Sequence, residues 1–118
     1  MAEFILKSRN IKGIYCESRA TSYEESGEDI YPPAKKCLKD HGIPFTYHES
    51  KRISQEDYDE FDEIYVMENR NLRDILRIVD DRDHKIKLLC DYDIADPWFT
   101  GDFEGVYAQI NEGLDKVI

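Results

Sequence analysis

Residues 90–107 read CDYDIADPWFTGDFEGVY. In this stretch the carboxylate of Asp96 is followed by a proline, two aromatics, a threonine and a glycine. A carboxyl group so placed has two chemical uses. It can cap or turn the backbone ahead of Pro97, the commoner role of an Asp-Pro step. It can also trade a proton with a substrate, as general acid and base. Trp98 and Phe99 are likewise open to two readings. They pack against the helix that follows, or they stay exposed as a binding surface for a ring.

The remaining candidates for chemistry are few. Cys16, Cys37 and Cys90 are odd in number and have no Cys-x-x-Cys spacing, which fits reduced, buried structural thiols. His41, His48 and His84 show no metal-ligand spacing with one another or with the cysteines, so neither metal nor cofactor is expected. The 118 residues carry 26 acidic and 16 basic side chains, a net charge of −10. General affinity for nucleic acid or an anionic membrane is thereby excluded, because both would repel the chain. No apolar run approaches a membrane-spanning length, and MAEFILKSRN is too short and polar for a secretory signal. The expectation is one cytoplasmic globular domain over residues 1–118.

Alternating elements must position these residues. A weak helix runs from Ala2 to about Ile11 and stops at Gly13. GIYCES is short and β-prone, the first expected strand. Tyr31-Pro32-Pro33 opens a helix whose stripe is Ala34, Cys37, Leu38 and His41, with Gly42 as its stop. Ser54 and Asp57 have capping-box spacing, followed by a short helix to about Phe61. EIYVM reads as a buried strand and KIKLL as a third strand. Between them, Leu72, Ile75, Leu76 and Val79 share one helical face. The last helix begins at a cap on Thr100 or Asp102 and presents Phe103, Val106, Tyr107, Ile110, Leu114 and Val117. Strands alternating with helices mean βαβ units and a parallel sheet, with ligands beyond the carboxyl ends of the strands. Asp96 lies just past the end of KIKLL.

In order, ATS (20–22), PPAKKCLKDHGI (32–43), the run from His48 to Tyr58, FDEIYVM followed by NLRDIL, and DPWFTGDFEGVY span nearly the whole chain. Together these resemble the low-molecular-weight protein tyrosine phosphatases. The resemblance implies a flavodoxin-like, three-layer αβα fold with a parallel sheet of order 2-1-3-4. It implies that Asp96 is the general acid and base, that Trp98 and Phe99 wall a slot for a phenol ring, and that Tyr23 lies in the opposite wall. It implies a histidine at position 48 that steadies the phosphate loop, though without that loop in the chain His48 is expected to be a surface residue, and it implies phosphotyrosine proteins or small phosphate monoesters as substrates. Relatives that reduce arsenate need extra cysteines where this chain reads MENRNLRD, so that activity is not expected.

One family hallmark is missing. The nucleophile of the family sits in a C-x5-R-S loop after a first strand. Six positions after Cys16, Cys37 and Cys90 stand Ser22, Ile43 and Asp96. The chain is therefore expected to be N-terminally truncated, to lack the first, central strand, and to be inactive by itself. A sheet without its central strand exposes strand edges, so strand exchange or homodimerisation is expected to compensate. The alternative to a phosphatase is a non-catalytic pseudophosphatase that binds a partner or oligomerises.

Overall fold

The computed structural model describes residues 1–22 and 27–118. Its elements are α1 (Ala2–Ser8), α2 (Pro32–Asp40), α3 (Gln55–Glu60), β1 (Ile64–Val66), α4 (Asn69–Ile78), β2 (Ile86–Leu88), α5 (Pro97–Thr100) and α6 (Phe103–Val117). β1 and β2 pair in parallel, with Ile64 opposite Ile86 and Val66 opposite Leu88. Alternation along the strands feeds two apolar cores. Ile64, Val66, Ile86 and Leu88 pack with Ile53, Tyr58, Ile75 and Val79 of α3, α4 and their flanks. Tyr65 and Leu89 turn the other way, toward Phe4, Ile5, Leu38, Val106, Ile110 and Leu114 of α1, α2 and α6. Helices thus cover both faces of a small parallel sheet, the expected α/β, flavodoxin-like arrangement.

Local chemistry explains the element ends. Ser54 Oγ accepts the Asp57 N–H at 3.2 Å while Asp57 Oδ2 accepts the Ser54 N–H at 3.1 Å, a complete capping box. α4 starts two residues earlier than its apolar face predicts, because Asn71 Oδ1 accepts the Glu68 N–H at 3.2 Å. The start of α6 falls to Asp102, whose Oδ1 accepts the Gly105 N–H at 2.9 Å. Tyr58 is fully buried, and its hydroxyl donates to Asp81 Oδ1 at 2.7 Å and accepts the Asp83 N–H at 2.9 Å. That pair of bonds ties α3 to the loop feeding β2.

Two expectations fail. Leu76 is half exposed rather than on the buried face of α4. GIYCES is not a strand. Its residues make no ladder among the described residues, and the nearest pairing is a single parallel bridge between Ala20 and Arg52. The physical reason is that no neighbouring backbone pairs with it among the described residues. β1 uses one edge on β2: the Ile64 N–H donates to the Lys85 carbonyl and the Val66 carbonyl accepts from the Leu89 N–H. In a parallel ladder the intervening Tyr65 directs its peptide groups to the opposite edge. No backbone group of residues 13–19 meets that edge among the described residues. Instead a cleft of about 970 Å³ is lined by both, through Ile14, Cys16 and Ser18 and through Ile64, Tyr65 and Val66.

Candidate functional site

The same cleft is lined by Asp96, Trp98, Phe99 and Arg70. Asp96 follows the end of β2 through the buried Ile94, whose N–H donates to the Met67 carbonyl at 2.9 Å. That bond fastens the stretch after β2 to the end of β1. Pro97 then starts the single turn of α5, and Gly101 ends it at φ 73°, a left-handed geometry that a glycine adopts without strain.

Asp96 caps this turn. Its Oδ1 accepts the Trp98 N–H at 3.0 Å, and the carboxyl group remains exposed. The backbone-capping reading of Asp-Pro therefore holds, and it coexists with a place on the cleft. One oxygen satisfies the turn, which leaves the other free for solvent or a ligand.

The aromatics after it are not core residues. Trp98 is 54% exposed and Phe99 72%. Trp98 leans on Tyr31 with ring centroids 4.5 Å apart, and Tyr31 in turn lies 6.0 Å from Phe103 at the start of α6. The Arg70 guanidinium stands 5.8 Å from the Phe99 ring centroid, within cation–π range. Arg70, which its position in NRNLRD does not single out, thus brings a cation to the cleft. Tyr23 lies outside the described residues.

His48 is not a surface residue but part of a half-buried polar network that links three segments around the buried Glu3. Its Nε2 lies 2.9 Å from Ser18 Oγ. Ser18 donates its N–H to Glu3 Oε1 at 2.7 Å and its hydroxyl contacts the same oxygen at 3.0 Å. Lys7 donates to the other oxygen of Glu3 at 2.9 Å, and His48 Nδ1 lies 4.0 Å from Oε1. Burial pushes the Glu3 carboxyl up, but the bonds from Lys7 and Ser18 together outweigh it and hold it below the ordinary range. Neither Glu3 nor Ser18 announces this role in sequence, since each resembles an ordinary helix-start acid or loop serine. The backbone of His48 is held separately, its N–H donating to Asp29 Oδ1 at 2.8 Å.

The thiols are free. Cys37 and Cys90 are buried and Cys16 is half-buried on the cleft. Burial, the largest influence, pushes the Cys16 and Cys37 thiols up, away from the reactive thiolate. His41 ends α2, where Nε2 meets Glu104 Oε2 at 2.5 Å and the ring stacks on Tyr107 at 3.8 Å. No described helix is long and apolar enough to cross a membrane.

Comparison with known proteins places this geometry in a family. The family model described as low molecular weight phosphotyrosine protein phosphatase matches residues 1–118. The Staphylococcus aureus (strain MRSA252) low molecular weight protein-tyrosine-phosphatase PtpA is 34% identical over 128 residues, covering 100% of this chain and 82% of the relative. Among solved structures, the low molecular weight protein tyrosine phosphatase of Streptococcus pyogenes superposes with a TM-score of 0.88 at 31% identity, over 98% of this chain and 79% of that one. The drosophila arginine phosphatase DARP does so with a TM-score of 0.85 at 29% identity, over 98% and 85%. Matched along its whole length by the family model and by these relatives, this chain belongs to the low molecular weight phosphotyrosine protein phosphatase family.

Proposed function

We propose that this chain carries the acid–base part of a phosphate monoester hydrolase. Asp96 is the proton donor and acceptor, and Trp98 and Phe99 form the wall for the ring of the leaving group. The observation that carries the reading is the meeting of Asp96, Trp98 and Phe99 on one cleft. The reaction has two steps. A thiolate attacks phosphorus, the ester P–O bond breaks, and Asp96 gives its proton to the departing oxygen. The Asp96 carboxylate then takes a proton from water, whose oxygen bonds to phosphorus as the P–S bond breaks, freeing phosphate and the thiolate. The scheme uses no metal and no cofactor.

The thiolate must be held at low pKa by backbone N–H groups, and an arginine fork must bind the equatorial oxygens. These 118 residues contain no C-x5-R sequence to supply them. The chain by itself is therefore read as inactive, and turnover needs that loop from a further segment. Losing a covalent nucleophile typically costs many powers of ten in rate. Phosphotyrosine proteins and small aryl phosphates are the substrate class that suits a flat aromatic wall. A relative named an arginine phosphatase makes phosphoarginine the second class to assay.

A non-catalytic reading is supported by the edge of β1 on the 970 Å³ cleft, which no described residue pairs with. In it the chain recruits an added strand from a partner or from a second copy. One experiment separates the two. Hydrolysis of para-nitrophenyl phosphate is compared for the 118-residue chain and for a version with a family C-x5-R-S-P segment ahead of Met1. Activity confined to the extended version, and lost on Asp96→Asn, supports the phosphatase reading. No activity in either, with a dimer by light scattering, supports the binding module. Turnover by the 118-residue chain itself overturns the assignment of the nucleophile.

A further inference from the structure

Away from the cleft, Cys37, His41 and Glu104 converge where α2 packs on the start of α6. Their ligating atoms all lie within 4.8 Å of one another. We propose that these three residues form a site for a zinc-class divalent cation, which pins the start of α6 to the end of α2. This goes beyond the phosphatase reading and does not depend on it.

The argument begins with spacing. Cys37 and His41 are four residues apart on one helix, so their side chains lie on the same face, one turn apart. Alone that pair is not a metal signature; a third donor brought by the fold makes it one, because two donors at i and i+4 of a helix can hold zinc together with a further ligand. The third donor comes from 63 residues further along, at the second position of α6. Glu104 already bridges the other two: Oε2 lies 2.5 Å from His41 Nε2 and Oε1 lies 3.7 Å from Cys37 Sγ. The imidazole plane is held by its stacking on Tyr107, one turn beyond Glu104, at 3.8 Å and 13°.

The donor set selects the metal. One sulfur, one imidazole nitrogen and one carboxylate oxygen suit zinc or cobalt, not magnesium or calcium, which want oxygen alone. Bond lengths of about 2.0–2.3 Å place the ligands of a tetrahedral ion roughly 3.3–3.7 Å apart. The ligating atoms, which lie within 4.8 Å of one another, must therefore close by up to about an ångström at the widest pair, while His41 Nε2 and Glu104 Oε2, at 2.5 Å, must open by a similar amount. His41 and Glu104 are exposed and can supply it by small rotations, while buried Cys37 stays fixed. Binding a cation there costs the thiol its proton, released to solvent. Solvent can fill the fourth position, because two of the three ligands are exposed.

The test is titration of the chelator-treated 118-residue chain with Co²⁺, followed by absorption. The expected result is a near-ultraviolet thiolate-to-cobalt charge-transfer band that saturates at one equivalent and is displaced by Zn²⁺. Cys37→Ser removes the band. His41→Asn and Glu104→Gln, at exposed positions where folding is not at stake, weaken Co²⁺ binding at least tenfold. The proposal is overturned by a wild-type chain that shows no such band. It is equally overturned by a band that survives Cys37→Ser, which would assign the thiolate to Cys16 or Cys90, or by wild-type affinity in both His41→Asn and Glu104→Gln.

Discussion

Ser18 Oγ and His48 Nε2 lie 2.9 Å apart, joined through the same hydroxyl to the buried carboxylate of Glu3. Three segments with no regular backbone ladder between them are thereby held by side-chain chemistry. The Ser18 N–H and hydroxyl and the Lys7 ammonium all converge on Glu3.

Removing that acceptor exposes its worth. In Glu3→Ala the Ser18 N–H loses its partner at a half-buried site. An orphaned buried donor costs about 1–3 kcal/mol, and a loss of that size is expected in urea unfolding followed by circular dichroism. Lys7→Ala, which removes only a half-exposed ion pair, should cost less than 1 kcal/mol. Equal losses from the two substitutions would contradict the picture of a buried hub.

Acid should loosen the same region. The His48 N–H, and then the Lys35 ammonium, hold the Asp29 carboxyl down at about 2 from its ordinary 3.8. A carboxyl group with a lowered folded pKa stabilises the fold above its unfolded pKa and loses that contribution as pH falls toward the folded one. The melting temperature should therefore drop between about pH 4 and pH 2. Asp29→Asn should flatten that limb without abolishing it, because Glu3 and Asp57 are also held low. A limb of unchanged steepness in Asp29→Asn would refute the assignment.

Gly113 tests packing of α6 on the end of β2. A Cβ there would stand 2.6 Å from Leu89 Cγ and 2.9 Å from Cys90 Sγ, both in the core. Alanine gains about 0.5–1 kcal/mol in helix propensity, but overpacking typically costs about 1–3 kcal/mol. The steric term wins, so Gly113→Ala should lower the denaturation midpoint. A rise in the midpoint would mean that α6 shifts freely.

Phe99 separates function from stability. At 72% exposure it contributes little to the core, so Phe99→Ala should change unfolding free energy by less than about 0.5 kcal/mol. In a chain supplied with the nucleophile loop, the same substitution should raise KM for aryl phosphates several-fold with little change in kcat. A kcat loss at constant KM would place Phe99 in proton transfer or loop positioning instead of ring binding.

Much of this molecule is decided within a few residues, and that part is legible in the chain. The Ser54–Asp57 capping box, the proline-led α2, the two strands around Ile64–Val66 and Ile86–Leu88, and the apolar face of α6 all follow from short-range periodicity and capping. So does the Asp96 turn, because Asp-Pro is a local signal. What tertiary structure alone decides is whatever needs a partner from elsewhere. GIYCES has strand composition but, among the described residues, no backbone paired beside it, and a strand is a property of two segments in register, not of one. Leu76 fits its helical stripe, yet neighbouring elements leave it half exposed. Glu3, Ser18 and His48 meet across 45 residues, and Cys37 and His41 meet Glu104 across 67 and 63, so no local pattern could announce either cluster. The sequence by itself determined the family, most of the elements and the candidate acid. Only the fold decided which polar groups share a site, because burial and hydrogen-bond geometry depend on distances in space, not along the chain.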